Sequence, residues 1–161
     1  MKILQLALLG IGTFASGCMA ESPGDAADTS DTAAATQGVI ATAVNDSFSV
    51  STLNGGCGRA DFVDFGDGAP GGGSNDDYVV IHDLCGDGHG VKAWAWLNGT
   101  LIGSKYNGNG LAGDAVVWDP FKQFGNVLPG DSIGLKVCLV NGTDDPSPFD
   151  CASVTRASAD G

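Results

Sequence analysis

The sequence predicts an all-β chain folded as an antiparallel β-sandwich of about eight short strands, and three observations carry that expectation. Glycine supplies 26 of 161 residues, and no Leu-rich helical periodicity is present beyond residue 20. Short β-branched and aromatic runs alternate with Gly, Pro, Asn and Asp clusters at spacings of about eight to twelve residues, the pattern of sandwiches and small barrels. Late in the chain the alternation is strict: Ile133, Leu135, Val137 and Leu139 share one face, and Gly134, Lys136 and Cys138 share the other.

Taken in order, 39–44 and 48–53 read as strands separated by Asn45-Asp46, and are expected to form a first hairpin. A strand at 59–65 follows, then a loop at 66–77 whose glycines and acids cannot continue a sheet. Residues 78–101 hold three strand signals, two of the three Trp, Cys85 and both histidines, which makes this stretch the expected middle of the domain. Within it Ala93-Trp94-Ala95-Trp96 stops at Asn98-Gly99, the dipeptide of a type I′ hairpin turn. Pairing through that turn sets Trp96 opposite Leu101 and Trp94 opposite Gly103, where a bare backbone leaves room for an indole. A Trp on a central sandwich strand commonly fills the core, so Trp94 is expected inside; Trp118 is balanced between core and surface.

The 105–114 segment repeats Asn-Gly and reads as a second exposed loop. A short strand at 115–118 precedes Asp119-Pro120, which opens one helical turn with Asp as cap and Pro at the first position. Leu128-Pro-Gly-Asp131 is a tight turn into the strand 132–140; a polar loop at 141–150 and a strand at 151–155 finish the domain. The Pro-Gly-Asp turn followed by an alternating strand resembles the penultimate strand of immunoglobulin-like and fibronectin-like domains, which implies an immunoglobulin-like sandwich and no particular function. From Asp77 to Cys151, on the stretches around Trp94 and Asn107-Gly-Asn-Gly110, the chain also resembles small exported proteins of actinomycetes and myxobacteria without an assigned activity.

The chain opens with Lys2 and an apolar run too short to span a bilayer, the form of a signal peptide over residues 1–17. Ala15-Ser16-Gly17-Cys18 resembles the lipobox of bacterial lipoproteins. That resemblance implies that Cys18 is diacylated, becomes the first residue and is then N-acylated with a chain such as palmitate. With Met19 rather than Asp after the Cys, it further implies the outer membrane, facing the periplasm or the cell surface. Residues 18–37 have the Ala, Asp, Thr and Ser composition of an acidic flexible tether, leaving 38–161 for the sandwich. The alternative is ordinary secretion with cleavage after Ala20, Cys18 and Ala20 serving as the small residues of the site.

Acids outnumber bases 19 to 7 for a net charge of −12, and the basic residues do not cluster in sequence, which excludes nucleic acid as a partner. Cys57, Cys85, Cys138 and Cys151 form an even set in the exported domain, and Cys18 is the odd one. Phe65 opposite Asp77 would bring Cys57 opposite Cys85; Cys138 shares a face with Lys136 rather than with the aliphatic row, favouring a local bridge to Cys151.

The titratable cluster Asp83, Asp87, His82 and His89 matches no hydrolase signature, and a metal site on Cys85, Asp87 and His89 competes with the disulfides. Asp64, Asp67, Asn75, Asp76 and Asp77 offer oxygen ligands within one loop, so calcium is the one cofactor entertained. The expected ligand site joins the loops 66–77 and 105–114: Asp67, Asp76, Asp77, Asn107 and Asn109 present oxygens, with Tyr106 and Trp118 as stacking surfaces. The function expected is a lipid-anchored binding module for a carbohydrate, protein or cation, without catalysis. A small secreted hydrolase or enzyme inhibitor without an anchor is the alternative.

Overall fold

The computed structural model describes residues 44–70 and 76–159. Its regular structure is almost entirely strand, about half of the described residues, in two four-stranded antiparallel sheets. Sheet A has the order β1-β2-β3-β6, from β1 (Phe48–Ser51), β2 (Gly58–Val63), β3 (Tyr78–Asp83) and β6 (Val116–Trp118). Sheet B has the order β5-β4-β7-β8, from β5 (Thr100–Asn107), β4 (Gly90–Leu97), β7 (Ser132–Val140) and β8 (Phe149–Ala157). With β1 set aside, the chain passes from β3 in sheet A to β4 in sheet B and again from β6 to β7. The crossing strands pair β3 with β6 and β4 with β7. This is the immunoglobulin-like arrangement, with β7 in the penultimate position that the Pro-Gly-Asp turn suggested.

Alternation explains why these strands pack as they do. Ala60 and Phe62 of β2, Val79 and Ile81 of β3, and Ile133, Leu135 and Val137 of β7 are at most 1% exposed and meet in one core. Three rings form its centre: Phe48 lies 5.4 Å from Phe62, and Phe62 lies edge-on to Phe121 at 5.6 Å. Phe121 is delivered by the turn after β6, where Asp119 Oδ1 accepts the amides of Phe121 and Lys122 ahead of a single 3-10 turn, Lys122–Phe124.

Among the described residues the first strand pairs with β2. Residues 39–43 of the proposed hairpin lie outside the described residues, and Val44 is in no strand. Between β2 and β3 the register differs by one residue from expectation, with Phe62 opposite Val79 and Val63 opposite Tyr78. The expected register would have set inward Ile81 against outward Asp61; the observed one joins the two apolar faces. Cys57 still bridges to Cys85, Cα to Cα 5.0 Å, because both lie just past the last pair Gly58–Asp83, where Leu84 N–H donates to the Cys57 carbonyl. Cys138 bridges locally to Cys151 across β7 and β8, Cα to Cα 4.2 Å.

Candidate functional site

The outer face of sheet B starts from the parity of β4. Val91, Ala93 and Ala95 point inward and are 0% exposed, whereas Lys92, Trp94 and Trp96 stand outward and are partly exposed. Trp94 therefore lies outside the core that it was expected to fill. The reason is volume: with Phe48, Phe62 and Phe121 between the sheets, small alanines suffice at β4, as close packing of large against small requires. A bulge contributes as well. Ala95 lies opposite Gly103 and Trp96 opposite Leu101, so Ile102 is an extra residue in β5 and Trp94 falls opposite Ser104. The clearance at Gly103 serves Trp118, whose Cζ2 is 3.1 Å from where a Cβ would stand.

Around the two indoles the sheet sets a defined surface. Trp94 is flanked by Lys136, directly opposite on β7, and by Lys92, two residues away on β4; their Nζ atoms lie 5.2 and 5.5 Å from its ring centroid. These are cation–π distances, worth about 0.5–1 kcal/mol each at exposed positions. Lys92 Nζ also donates to the Thr143 carbonyl at 2.6 Å. Trp96 lies opposite Gly134, where a Cβ would come within 3.2 Å of the Trp96 Cβ, so the bare backbone lets the indole sit close to the sheet. Beside it Trp96, Gly134, Lys136, Ser153 and Thr155 line an open groove of about 400 Å³, within the size range of small-ligand sites. Two turns close its end: Asn98 Nδ2 donates to Asp131 Oδ1 at 2.8 Å and Ser132 N–H donates to Asn98 Oδ1 at 2.9 Å. The Asn98 amide, followed by the Leu128 amide, holds the Asp131 carboxyl below its ordinary value. Farther along the same face Tyr106, opposite Lys92, presses against the glycine backbones of Gly90 and Gly108.

An indole removed entirely from water would bury about 150–250 Å², on the order of 4–6 kcal/mol at ~25 cal/mol per Å². Trp94 and Trp96 realise part of that against the sheet and keep apolar surface facing solvent. Hydroxyls of Ser104, Ser153 and Thr155 stand on the same outward parity. Flat apolar rings edged by donors and acceptors suit a ligand with one apolar face and many hydroxyls.

The residues singled out in the two loops fall elsewhere. The 66–77 loop enters β3 at Tyr78, while Gly110 of the other loop sits by Asp83 at the far end of that strand, so among the described residues the two loops meet β3 at opposite ends. Asp67 is exposed and Asp76 half-buried. Asp77 is fully buried: its Oδ2 accepts the Val127 amide at 2.8 Å, and it shares a side-chain hydrogen bond with Asp64. Burial pushes its carboxyl up to about 7, against the Val127 hydrogen bond and with help from the charges of Asp64 and Asp76. Asp64 is itself buried and accepts the Asp46 amide at 3.0 Å. Two of the candidate calcium ligands thus hold backbone amides, and Asn75 lies outside the described residues. Asn107 is buried, donating to the Ile81 carbonyl at 2.8 Å and accepting the Asn109 amide; Asn109 donates to the Asp114 carbonyl. Trp118 is half-buried against the core, and Tyr106 alone of these shares a face with Trp94 and Trp96.

The histidines also part company. On the outer face of sheet A, His82 Nε2 lies 2.9 Å from Asp61 Oδ2, and Arg59 Nε approaches the same carboxylate at 3.0 Å. His89 instead meets Asn141 Oδ1 at 2.9 Å and packs edge-on against Phe149. Neither lines the groove at Trp96 or those at Phe48 and Trp118. Cys57, Cys85 and Asp87 come close enough to suggest a metal, but the disulfide leaves no thiolate for one.

No protein-family model matches the chain, and no curated protein or solved structure does, so the functional argument stands on the fold and on this face.

Proposed function

We propose that the protein is a lipid-anchored, exported binding module that holds a carbohydrate on the outer face of sheet B. The observation that supports this most is the placement of Trp94 and Trp96 outward beside a groove of about 400 Å³, with small alanines taking the inward positions. Pyranose rings stack their C–H faces on indoles while serine and threonine hydroxyls exchange hydrogen bonds with sugar hydroxyls. The rigid ladder of β4 with β5 and β7 keeps the rings in place, so little ordering entropy is lost on binding. Two disulfides suit an oxidising compartment outside the cytoplasm. The lipobox-like Ala15-Ser16-Gly17-Cys18 provides the anchor, and the tether after it the reach to a polymer away from the membrane. A glycan array probed with the purified exported protein tests this. Binding that Trp96→Ala abolishes supports the proposal, and silence across the array, or binding untouched by Trp96→Ala and Trp94→Ala together, overturns it.

A further inference from the structure

Charge is sorted between the sheets in a way that the sequence order conceals. The chain carries a net charge of −12, yet the four strands of sheet B hold Lys92, Lys105, Lys136 and Arg156 against a single acid, Asp150; of the four cations Lys92 and Lys136 share the outward parity of the indoles, while Lys105 and Arg156 lie opposite inward Ala93 and Ile133. Asp150 is the extra residue of the β8 bulge, at φ 52°, and its carboxylate turns away to the backbone and side-chain amides of Asn54 beyond β1. The outward strand residues around Trp94 and Trp96 therefore include two ammonium groups and no carboxylate; Asp131, in the turn at the groove end, has its carboxylate engaged by the Asn98 side chain and the Leu128 amide. Lys92 is engaged by the Thr143 carbonyl, while Lys136 reaches both the Trp94 ring and the groove beside Trp96. The cation–π contact holds its ammonium over the Trp94 ring before any ligand arrives, so little side-chain freedom is lost on binding.

Resting on the carbohydrate platform proposed above, we infer that the ligand is an anionic polysaccharide bearing uronic-acid carboxylates. One sugar stacks on Trp96 over Gly134, its carboxylate pairs with Lys136, and its hydroxyls meet Ser153 and Thr155. A neutral glycan would leave the Lys136 ammonium without a counter-charge. Elsewhere the acidic surface repels a polyanion, which confines it to this face.

The test uses the purified exported protein and three uronate polymers, polygalacturonate, alginate and hyaluronate, each beside its carboxyl-reduced form, in which every carboxylate has become a primary alcohol. Tryptophan fluorescence is titrated at low and at moderate salt. The expected result is binding to at least one native polymer, about tenfold weaker for its reduced form and about tenfold weaker for Lys136→Met, which keeps the stem and loses the charge. Raising the salt should erode the native affinity. Equal binding of the native and reduced forms, or Lys136→Met binding like the parent, overturns the uronate inference and leaves the platform standing. Binding to none of the native polymers overturns it too, and the platform falls with it only if neutral glycans also fail to perturb the fluorescence. Lys136→Arg, which restores the charge, separates lost charge from disturbed folding by recovering binding.

Discussion

Asp77 is a carboxylic acid placed where a charge is costly: fully buried, hydrogen-bonded to Asp64 and aimed at the Val127 amide. Its folded pKa, raised from 3.8 to about 7, means that the folded state keeps a proton that the unfolded chain loses first. The stability this confers is complete below about pH 4 and is lost as pH climbs from there through 7. Thermal unfolding should accordingly show a falling midpoint from pH 4 to pH 7, and Asp77→Asn, which keeps the acceptor for Val127 without titrating, should flatten that fall. Each kcal/mol corresponds to roughly 3–6 °C in a domain of this size. An unchanged pH profile in Asp77→Asn would count against the protonated pair. Asp131 and Asp145, held below the usual range by amide donors, act oppositely and lower down, stabilising above about pH 4. At Trp96 the expectation is a split between stability and binding. Trp96→Ala, on an outward position, should cost far less than the 3–5 kcal/mol typical of a buried ring such as Phe62, compared by denaturant midpoints.

Elements were legible where two independent signals agreed. Asn98-Gly99 forms the expected hairpin turn, both residues at positive φ. The turn before β7 closes through Leu128 and Asp131, whose backbone and side chain both bond across it. The inward row of β7 could be read from alternation alone. Two things were not legible for physical reasons. Parity on β4 is ambiguous when Ala alternates with Trp, since either can face a core; Lys92, two residues before Trp94, is the residue whose parity marks the outward side. The slip between β2 and β3 needed the faces of both strands together, Ala60 and Phe62 against Val79 and Ile81. The spatial separation of the two candidate loops was not legible either, because a hairpin loop and a crossover loop meet β3 at opposite ends. For the bridges, chain closure favours the wider span: sequence separations of 28 and 13 correspond to about 3.6 and about 3 kcal/mol. Replacing Cys57 and Cys85 by Ala should therefore lower the urea midpoint more than replacing Cys138 and Cys151, and a reversed order would place the weight on native contacts at β7 and β8.

Across the whole molecule the sandwich divides labour between its two outer faces. Sheet A closes its charges on themselves through Arg59, Asp61 and His82, and sheet B presents indoles, ammonium groups and hydroxyls. One core between them, centred on Phe48, Phe62 and Phe121, makes the exposed face rigid without containing it. The proposed anchor has its own test: intact mass of the membrane fraction is expected to give a mature chain beginning at Cys18 with acyl chains attached, and Cys18→Ala to leave the protein unanchored. An unmodified terminus at Glu21 would point to plain secretion instead. The alternative placement of the site in the loops remains directly comparable with the sheet face, because the two sets of residues do not overlap. The decisive measurement is glycan-induced change in tryptophan fluorescence for two variants at matched folding, Trp96→Ala with Gly134→Val on the sheet, and Asp67→Ala with Asp76→Ala and Asn109→Ala in the loops. Binding should vanish in the first and persist in the second; loss in the loop variant with full binding by the sheet variant would contradict the assignment of this face.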